Sequence, residues 1–229
     1  GESSVETQIL DMLNTQENPT IAPYAKTGEV HLRVTARAKD EKEAREKTAP
    51  VVEELYRRFG KAVYTTDADE TLEMALTKLL IKKKYTMTTA ESCTGGMIAA
   101  RMVNAPGVSA VLKSGFITYA NEAKEELLGV SHDTLEKFGA VSRETAEEMA
   151  EGAVKAAHTD AAAVTGIAGP DGGTKEKPVG LVYIGVNVRG NVEVREYHFS
   201  GSRQKIRESV TAAALTFLRE KLLASEERG

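Results

Sequence analysis

The sequence predicts an α/β protein in which helices cover both faces of a mixed β-sheet, preceded by a small α+β unit. Strand-like and helix-like patterns alternate through residues 67–229, which is typical of strands joined by packed helices. Two alternating runs near the end, 181–188 and 192–199, are separated by Arg189-Gly190-Asn191 and predict a hairpin. Parallel strands followed by a hairpin form a mixed sheet, so we expect a three-layer α/β/α sandwich.

The first unit, residues 1–66, has its own pattern of elements. The expected order is a helix over 5–13, an extended loop around Pro19 and Pro23, a strand over 30–34, a helix with Pro50 inside it that ends at Gly60, and a strand over 62–65. This order suggests a KH-like module, a shape often used on RNA. The KH clamp needs a GXXG loop, which residues 1–66 lack. We therefore expect a structural or dimerisation role, with the arginines of this unit forming a solvated surface.

The second unit, residues 67–229, begins where Asp67 and Glu70 resemble a capping box. The expected order is a helix from 72, a strand over 86–89, a helix from 97, a strand within 109–119, helices over 121–128 and 133–138, a helix capped by Ser142, a strand over 161–165, the hairpin and a helix from 206. Residues 166–180 hold five glycines and two prolines. This segment is too long to be a simple connector, and loops of such length tend to be functional.

Charge and composition restrict the partners and the location. A net charge of −4 and a pI near 5.7 give no general attraction for nucleic acid or anionic membrane, so a small-molecule substrate is favoured. Cys93 is the single cysteine, which excludes an intramolecular disulfide and suits a reducing cytoplasm. We find neither an apolar run of about 20 residues nor a signal peptide. We expect a soluble cytoplasmic protein.

The turn after the second unit's first strand is the first candidate site. Glu91, Ser92 and Thr94 precede the pair Gly95-Gly96, where the strand gives way to a helix. Such a turn directs backbone N–H groups and a helix N-terminus to one place, which favours an anion such as phosphate. The three polar residues are therefore candidates for binding ribose or phosphate. A buried structural hydrogen-bond network explains them equally well.

Ser109, Tyr119 and Lys124 form the second candidate group. A serine hydroxyl becomes a nucleophile when a base takes its proton, and a lysine with a lowered pKa can be that base. If residues 109–119 formed one straight strand, its ends would lie roughly 33 Å apart. The three side chains then meet only if the chain doubles back. The alternative interpretation is a turn serine, a packed tyrosine and a solvated lysine.

A family resemblance adds to these observations. The motif runs follow one another in order: TAESCTGG (89–96), GVSA (107–110), SGFITYANEAK (114–124), GAVS (139–142), TGIAGPDGG (165–173), KPVG (177–180) and FSGSR (199–203). Together they resemble the C-terminal domain of the competence-damage-inducible CinA family, which includes stand-alone nicotinamide mononucleotide deamidases. Residues 18–24 and 29–36 resemble the small middle domain of full-length members. The resemblance implies a chain that lacks the first domain of those members.

The resemblance implies a reaction and assigns residues to it. The reaction is hydrolysis of the carboxamide of nicotinamide mononucleotide to nicotinate mononucleotide and ammonia, with Ser109 as the nucleophile and Lys124 with Tyr119 as the proton relay. Further substrate-binding candidates, beside those of the turn, are Gly107, Thr165, Gly166 and Arg203. We expect backbone N–H groups near residues 165 and 166 to act as the oxyanion donors. Read alone, Arg203 could form a surface salt bridge and Thr165 could cap a strand end.

Other chemistries fit less well. A cysteine amidase based on Cys93 would need a histidine partner, and the four histidines lie outside any motif. A lone cysteine with scattered histidines matches no known spacing of zinc ligands. A single carboxylate, Asp171, is not sufficient to predict a cation site. The glycine turn matches neither GxxxxGK[ST] nor GxGxxG. We expect a metal-independent serine amidohydrolase that needs no cofactor and forms a homodimer. The alternative is a non-catalytic protein of competence or recombination.

Overall fold

The computed structural model describes residues 2–165 and 180–225. The helices are α1 Glu2–Gln8, α2 Leu10–Thr15, α3 Glu41–Phe59, α4 Leu72–Lys83, α5 Met97–Met102, α6 Asn121–Leu128, α7 His132–Phe138, α8 Arg143–Ala157 and α9 Arg203–Ala224. The strands are β1 Thr20–Lys26, β2 Glu29–Thr35, β3 Met87–Glu91, β4 Leu112–Ile117, β5 Ala161–Thr165, β6 Leu181–Val188 and β7 Asn191–His198. The chain divides into two units, Gly1–Thr66 and Asp67–Gly229. None of the described helices is long and apolar enough to cross a bilayer.

The first unit packs three helices against one face of the antiparallel pair β1–β2. Ile21 pairs with Val34, and these side chains join Ile9 and Leu55 in a small apolar core. Ile9 is fully buried, and its backbone leaves the helical region at φ −120° and ψ 14°. The single helix predicted over 5–13 is therefore wrong, because the chain breaks there between α1 and α2.

Two further expectations for this unit are wrong. The segment around Pro23 forms β1 and not a loop, with Pro23 opposite Leu32. A two-stranded sheet has only edge strands, where a proline without an N–H is tolerated. Residues 62–65 form no strand. After the 3-10 turn Gly60–Ala62, Tyr64 instead donates its hydroxyl hydrogen to the carboxylate of Glu29 at 2.5 Å.

The second unit is built on a five-stranded sheet with the order β4-β3-β5-β6-β7. β4, β3 and β5 are parallel, and β6 and β7 are antiparallel to their neighbours. α8 packs on one face with α6 and α7 beside it, and α9 covers the other face with α4 and α5. The predicted mixed sheet between two helical layers is confirmed.

Small residues allow the layers to approach closely. Residues 161–164 of β5, three alanines and a valine, are fully buried. Between α6 and α8, a methyl group added at Gly152 would overlap the carbonyl oxygen of Leu128. This close approach fixes α6, and therefore Lys124 on it, relative to the sheet.

Helix starts were predicted with mixed success. The Ser142 hydroxyl accepts from the N–H of Thr145 at 3.2 Å, as expected of a cap. Ser131 precedes α7 without a side-chain capping bond. α4 begins after Thr71, whose hydroxyl accepts from the Met74 N–H, and not at Asp67.

Candidate active site

The carboxyl ends of β3, β4 and β5 bring the candidate residues together. β3 leads through α5 to β4 on one side of it, whereas β5, on the other side of β3, leads to β6. A crevice forms where neighbouring strands lead away in opposite directions, and ligands of α/β proteins bind there. Six polar residues at this edge are fully buried: Glu91, Ser92, Thr94, Thr118, Lys124 and Thr165.

Glu91 organises the turn between β3 and α5. Its carboxylate accepts hydrogen bonds from the backbone N–H groups of Gly96, Ile98 and Ala99 at 2.9–3.0 Å. These amides are the ones that the sequence suggested for an external anion. They bind the carboxylate of Glu91 instead. Of the two interpretations of Glu91, ligand binding and a buried structural hydrogen-bond network, the structure shows the network.

Arg207 on α9 holds the same turn from the opposite side. Its guanidinium donates to the carbonyl oxygens of Cys93 and Thr94, each at 3.0 Å. The turn itself needs Gly95 and Gly96, which adopt positive φ values of 58° and 95°. Sequence reasoning missed Arg207, because no motif marks it and it lies 114 residues after Cys93.

Two hydroxyl groups at this edge are buried without a partner. Within the described part of the chain, neither Ser92 Oγ nor Thr118 Oγ1 forms a hydrogen bond. The neighbouring hydroxyls of Thr94 and Thr165 bond each other at 2.8 Å, and the Ser92 N–H donates to the Thr165 carbonyl at 3.2 Å. A buried unpaired hydroxyl costs about 1–3 kcal/mol. Such a group is a candidate for chemistry.

Lys124 places an amine against the backbone that follows β4. Its Nζ donates to the carbonyl oxygens of Thr118 at 2.9 Å, Tyr119 at 3.2 Å and Ala120 at 3.4 Å. The Thr118 N–H in turn donates to the carbonyl of Glu91 at 2.9 Å, so the amine is tied to the end of β3. Burial lowers the pKa of Lys124 from its ordinary value, against a smaller opposing effect of Glu122. This shift brings the neutral, basic form closer to physiological pH.

Tyr119 and Arg203 also meet. The Tyr119 hydroxyl accepts a hydrogen bond from Arg203 Nη2 at 3.2 Å, and the tyrosine is 58% exposed. Arg203 is the first residue of α9. The pair therefore lies at the surface next to the buried amine, where an exposed cation can meet an anionic group of a ligand.

Ser109 lies at the opposite end of β4. It belongs to the 3-10 turn Val108–Ala110, directly before the strand, and Gly107 begins this turn. The carbonyl of Val111 accepts from the N–H of Met87, at the start of β3. Six residues of β4 separate this end from Lys124, about 20 Å at the usual rise. Within one chain, the structure does not bring Ser109 to Lys124.

Cys93 is buried, 3% exposed, as expected of a small packed residue. Gly166 and Asp171 lie outside the described residues. Among residues 2–165 and 180–225, no group of three or more His, Cys, Asp or Glu side chains is placed to hold a metal ion.

Comparison with known families identifies the chain. The profile of the CinA C-terminal domain matches residues 69–222, and that of the damage-inducible protein CinA KH domain matches residues 1–65. The chain belongs to the CinA family. A CinA-like protein from Dictyoglomus thermophilum is 50% identical over 224 residues, and a competence-damage inducible relative from Clostridium novyi is 51% identical. In both cases 97% of this chain is covered, and the chain spans about half the relative's length, 54%.

Solved structures of CinA proteins share the fold. A CinA superfamily protein from Klebsiella pneumoniae has 34% identity and a TM-score of 0.64, covering 67% of this chain and 96% of that one. The competence/damage inducible protein CihA from Agrobacterium tumefaciens has 41% identity and a TM-score of 0.60, covering 69% and 98%. The covered parts of this chain, 67% and 69%, correspond in size to the second unit alone.

Proposed function

We propose that this CinA family member hydrolyses the carboxamide of nicotinamide mononucleotide to nicotinate mononucleotide and ammonia. The family includes such amidases, and the motif runs that imply this substrate are present in order. The observation that carries the proposal is the fully buried amine of Lys124 next to the strand end that bears the buried, unpartnered Ser92 hydroxyl. A hydroxyl and an amine of lowered pKa are the two groups that serine amidase chemistry requires.

Geometry favours Ser92 over Ser109 as the nucleophile in this proposal. Ser92 follows Glu91, the last residue of β3. The Glu91 carbonyl accepts from the Thr118 N–H, and the Thr118 carbonyl in turn accepts from Lys124 Nζ. Ser109 is exposed and lies beyond the other end of β4. Both Ser92 and Lys124 are buried, so substrate binding has to expose them.

The chemistry balances without a further reactant except water. The neutral amine of Lys124 takes the Ser92 proton while the oxygen bonds to the carboxamide carbon, and the carbonyl π electrons move to oxygen. Collapse of this adduct expels the amide nitrogen, which leaves as ammonia with the proton from Lys124. Water then cleaves the resulting ester and regenerates the serine. The oxyanion requires N–H donors, for which we propose the backbone near residue 165.

The charge state of Lys124 sets a condition on this route. Three carbonyl acceptors surround Nζ, and an ammonium group has three hydrogens to satisfy them, whereas a neutral amine has two. The bond to Ala120, at 3.4 Å, is the weakest. Loss of this one bond frees the lone pair for the serine proton while the other two bonds hold the amine in place.

Arg203 and Tyr119 are proposed to hold the substrate at the surface. A guanidinium binds phosphate oxygens in a bidentate manner, and the tyrosine that accepts its hydrogen bond fixes its position. The phosphate of the mononucleotide is thus assigned to Arg203 and not to the turn after β3, whose amides Glu91 occupies.

The test measures ammonia and nicotinate mononucleotide released by the purified protein in the presence of EDTA. We expect Ser92→Ala and Lys124→Met to reduce kcat at least a hundredfold. The matched control is Ser131→Ala, an exposed serine without a capping bond, which should keep full activity. No release by the wild-type protein defeats the proposal. Loss of activity in Ser109→Ala, with Ser92→Ala active, returns the nucleophile to Ser109.

A further inference from the structure

The first unit separates its charges between two surfaces. On α3, cations pair with carboxylates about one turn away, and Arg58 also reaches α2. These ion pairs are Lys42–Glu46, Arg45–Glu41, Lys47–Glu43, Arg57–Glu54, Arg58–Glu54 and Arg58–Asp11. The helical surface is therefore locally neutral, and the overall charge of the unit does not describe the sheet surface.

The sheet surface presents an aromatic ring among cations. Because side chains alternate along a strand and Ile21 and Val34 face the core, Tyr24, Lys26, His31 and Arg33 point away from it. Tyr24 lies opposite His31 in the β1–β2 register and is 45% exposed. The guanidinium carbon of Arg33 lies 4.9 Å from the centre of the Tyr24 ring.

The cations of this surface have no carboxylate partners. Lys26 and Arg33 on the strands, and Arg37 just after β2, form no ion pair within the described residues. Asn18 fixes the backbone of Arg37 by two hydrogen bonds, at 2.8 and 2.9 Å, which holds this stretch of chain beside the start of β1. On the outward face the acidic residue of β2 is Glu29, whose carboxylate accepts from the Tyr64 hydroxyl. Glu17 precedes β1, and Asp40 and Glu43 lie at the start of α3.

We propose that this sheet surface binds a short single strand of nucleic acid. Cations without partners attract the phosphates, and Tyr24 offers a flat ring on which a base can stack. Seven-residue strands give a surface about 20 Å long, room for on the order of four nucleotides. An acidic peptide would use the cations but not the ring, so the stacking ring favours nucleic acid.

The binding mode differs from that of a KH clamp, which residues 1–66 cannot form because they have no GXXG loop. It also agrees with the acidic balance of the chain, because the attraction is confined to one surface and five acids of this unit lie on α3. The proposal is independent of the amidase reaction, whose residues belong to the second unit.

The experiment uses the whole chain and fluorescein-labelled 12-nucleotide oligo-dT and oligo-rU, with fluorescence anisotropy at 50 and 150 mM salt. We expect a Kd of about 10⁻⁴–10⁻⁶ M that weakens with salt. Arg33→Glu should weaken binding at least tenfold and Tyr24→Ala about fivefold or more. Tyr24→Phe keeps the ring and should bind like the wild type, which separates stacking from misfolding.

The matched control is Arg45→Glu, the same charge change on α3, where the arginine is 79% exposed. It should alter the affinity by less than twofold. The proposal is overturned by absence of binding at 50 mM salt, by equal losses in Arg45→Glu and Arg33→Glu, or by an unchanged affinity in Tyr24→Ala. Equal competition by poly-glutamate would also overturn it, in favour of an acidic peptide.

Discussion

Replacing Glu91 tests whether the turn after β3 depends on an internal anion. One carboxylate oxygen, Oε2, accepts from Gly96 and Ile98, and the other, Oε1, accepts from Ala99. In Glu91→Gln the amide oxygen can replace Oε2, but its NH₂ group then faces the N–H of Ala99. One hydrogen bond is lost and two keep a neutral acceptor.

The magnitude follows from the count of bonds. A hydrogen bond to a charged group contributes about 1.5–3 kcal/mol, so we expect Glu91→Gln to lower the free energy of unfolding by about 2–3 kcal/mol. Glu91→Ala loses all three bonds, about 4.5–9 kcal/mol by simple addition. This is comparable with the total stability of a domain, about 5–15 kcal/mol, so the alanine variant should be largely unfolded in its second unit.

Urea unfolding followed by circular dichroism measures the effect. With a slope of about 2 kcal/mol per molar, the glutamine variant should unfold at a urea concentration about 1 M lower. Glu126→Gln is the control, since this exposed glutamate forms no ion pair within the described residues, and a surface change of this kind stays within about 0.5 kcal/mol. If the two glutamine variants unfold at the same concentration, the role assigned to Glu91 is refuted.

Three further predictions concern the second unit. Because burial lowers the pKa of Lys124 from 10.5, the rate of the proposed amidase reaction should rise with pH, and the midpoint of this rise should lie below pH 10.5. The rise should be absent in Lys124→Arg. An unchanged rise in the arginine variant would exclude Lys124 as the base. Glu125 raises the pKa of His132 above its ordinary value of 6.5, so the ion pair stabilises the fold fully below pH 6.5 and this stabilisation is lost as the pH rises through the raised pKa. An NMR titration of the His132 ring should show a lower pKa in Glu125→Gln than in the wild type. An unchanged pKa would refute the pairing. Gly152→Ala should lower the melting temperature, at a cost of about 1–3 kcal/mol, because its methyl group meets the Leu128 carbonyl; a higher melting temperature, as helix propensity alone predicts, would contradict this packing.

Much of the second unit could be predicted from local patterns. The hairpin β6–β7 and helix α9 appear where the alternating and helical spacings put them, because their patterns are long and regular. The first unit was harder. β1 contains a proline, and local rules interpret a proline as part of a loop. The strand forms because it pairs with β2, which lies beyond the following turn. The break at Ile9 arises from burial in the core, which helical spacing does not reveal.

The candidate site shows the same limit more clearly. Motif runs mark the turn residues and Lys124 as candidates, and their role in a site stays a prediction. The separation of Ser109 from Lys124 depends on how β4 is laid in the sheet, since residues 15 positions apart in sequence can lie at opposite ends of one strand. The use of the turn's amides by Glu91 could not be predicted either, because sequence alone does not show where a side chain directs its oxygens.

The bonds from Arg207 to the turn have a consequence for synthesis of the chain. A ribosome makes Cys93 and Thr94 long before the arginine that binds their carbonyl oxygens. The sheet edge can therefore assume its final form only after the first residues of α9, as far as Arg207, have left the exit tunnel. Until then, nascent polypeptides should carry a turn after β3 that lacks its bonds from Arg207.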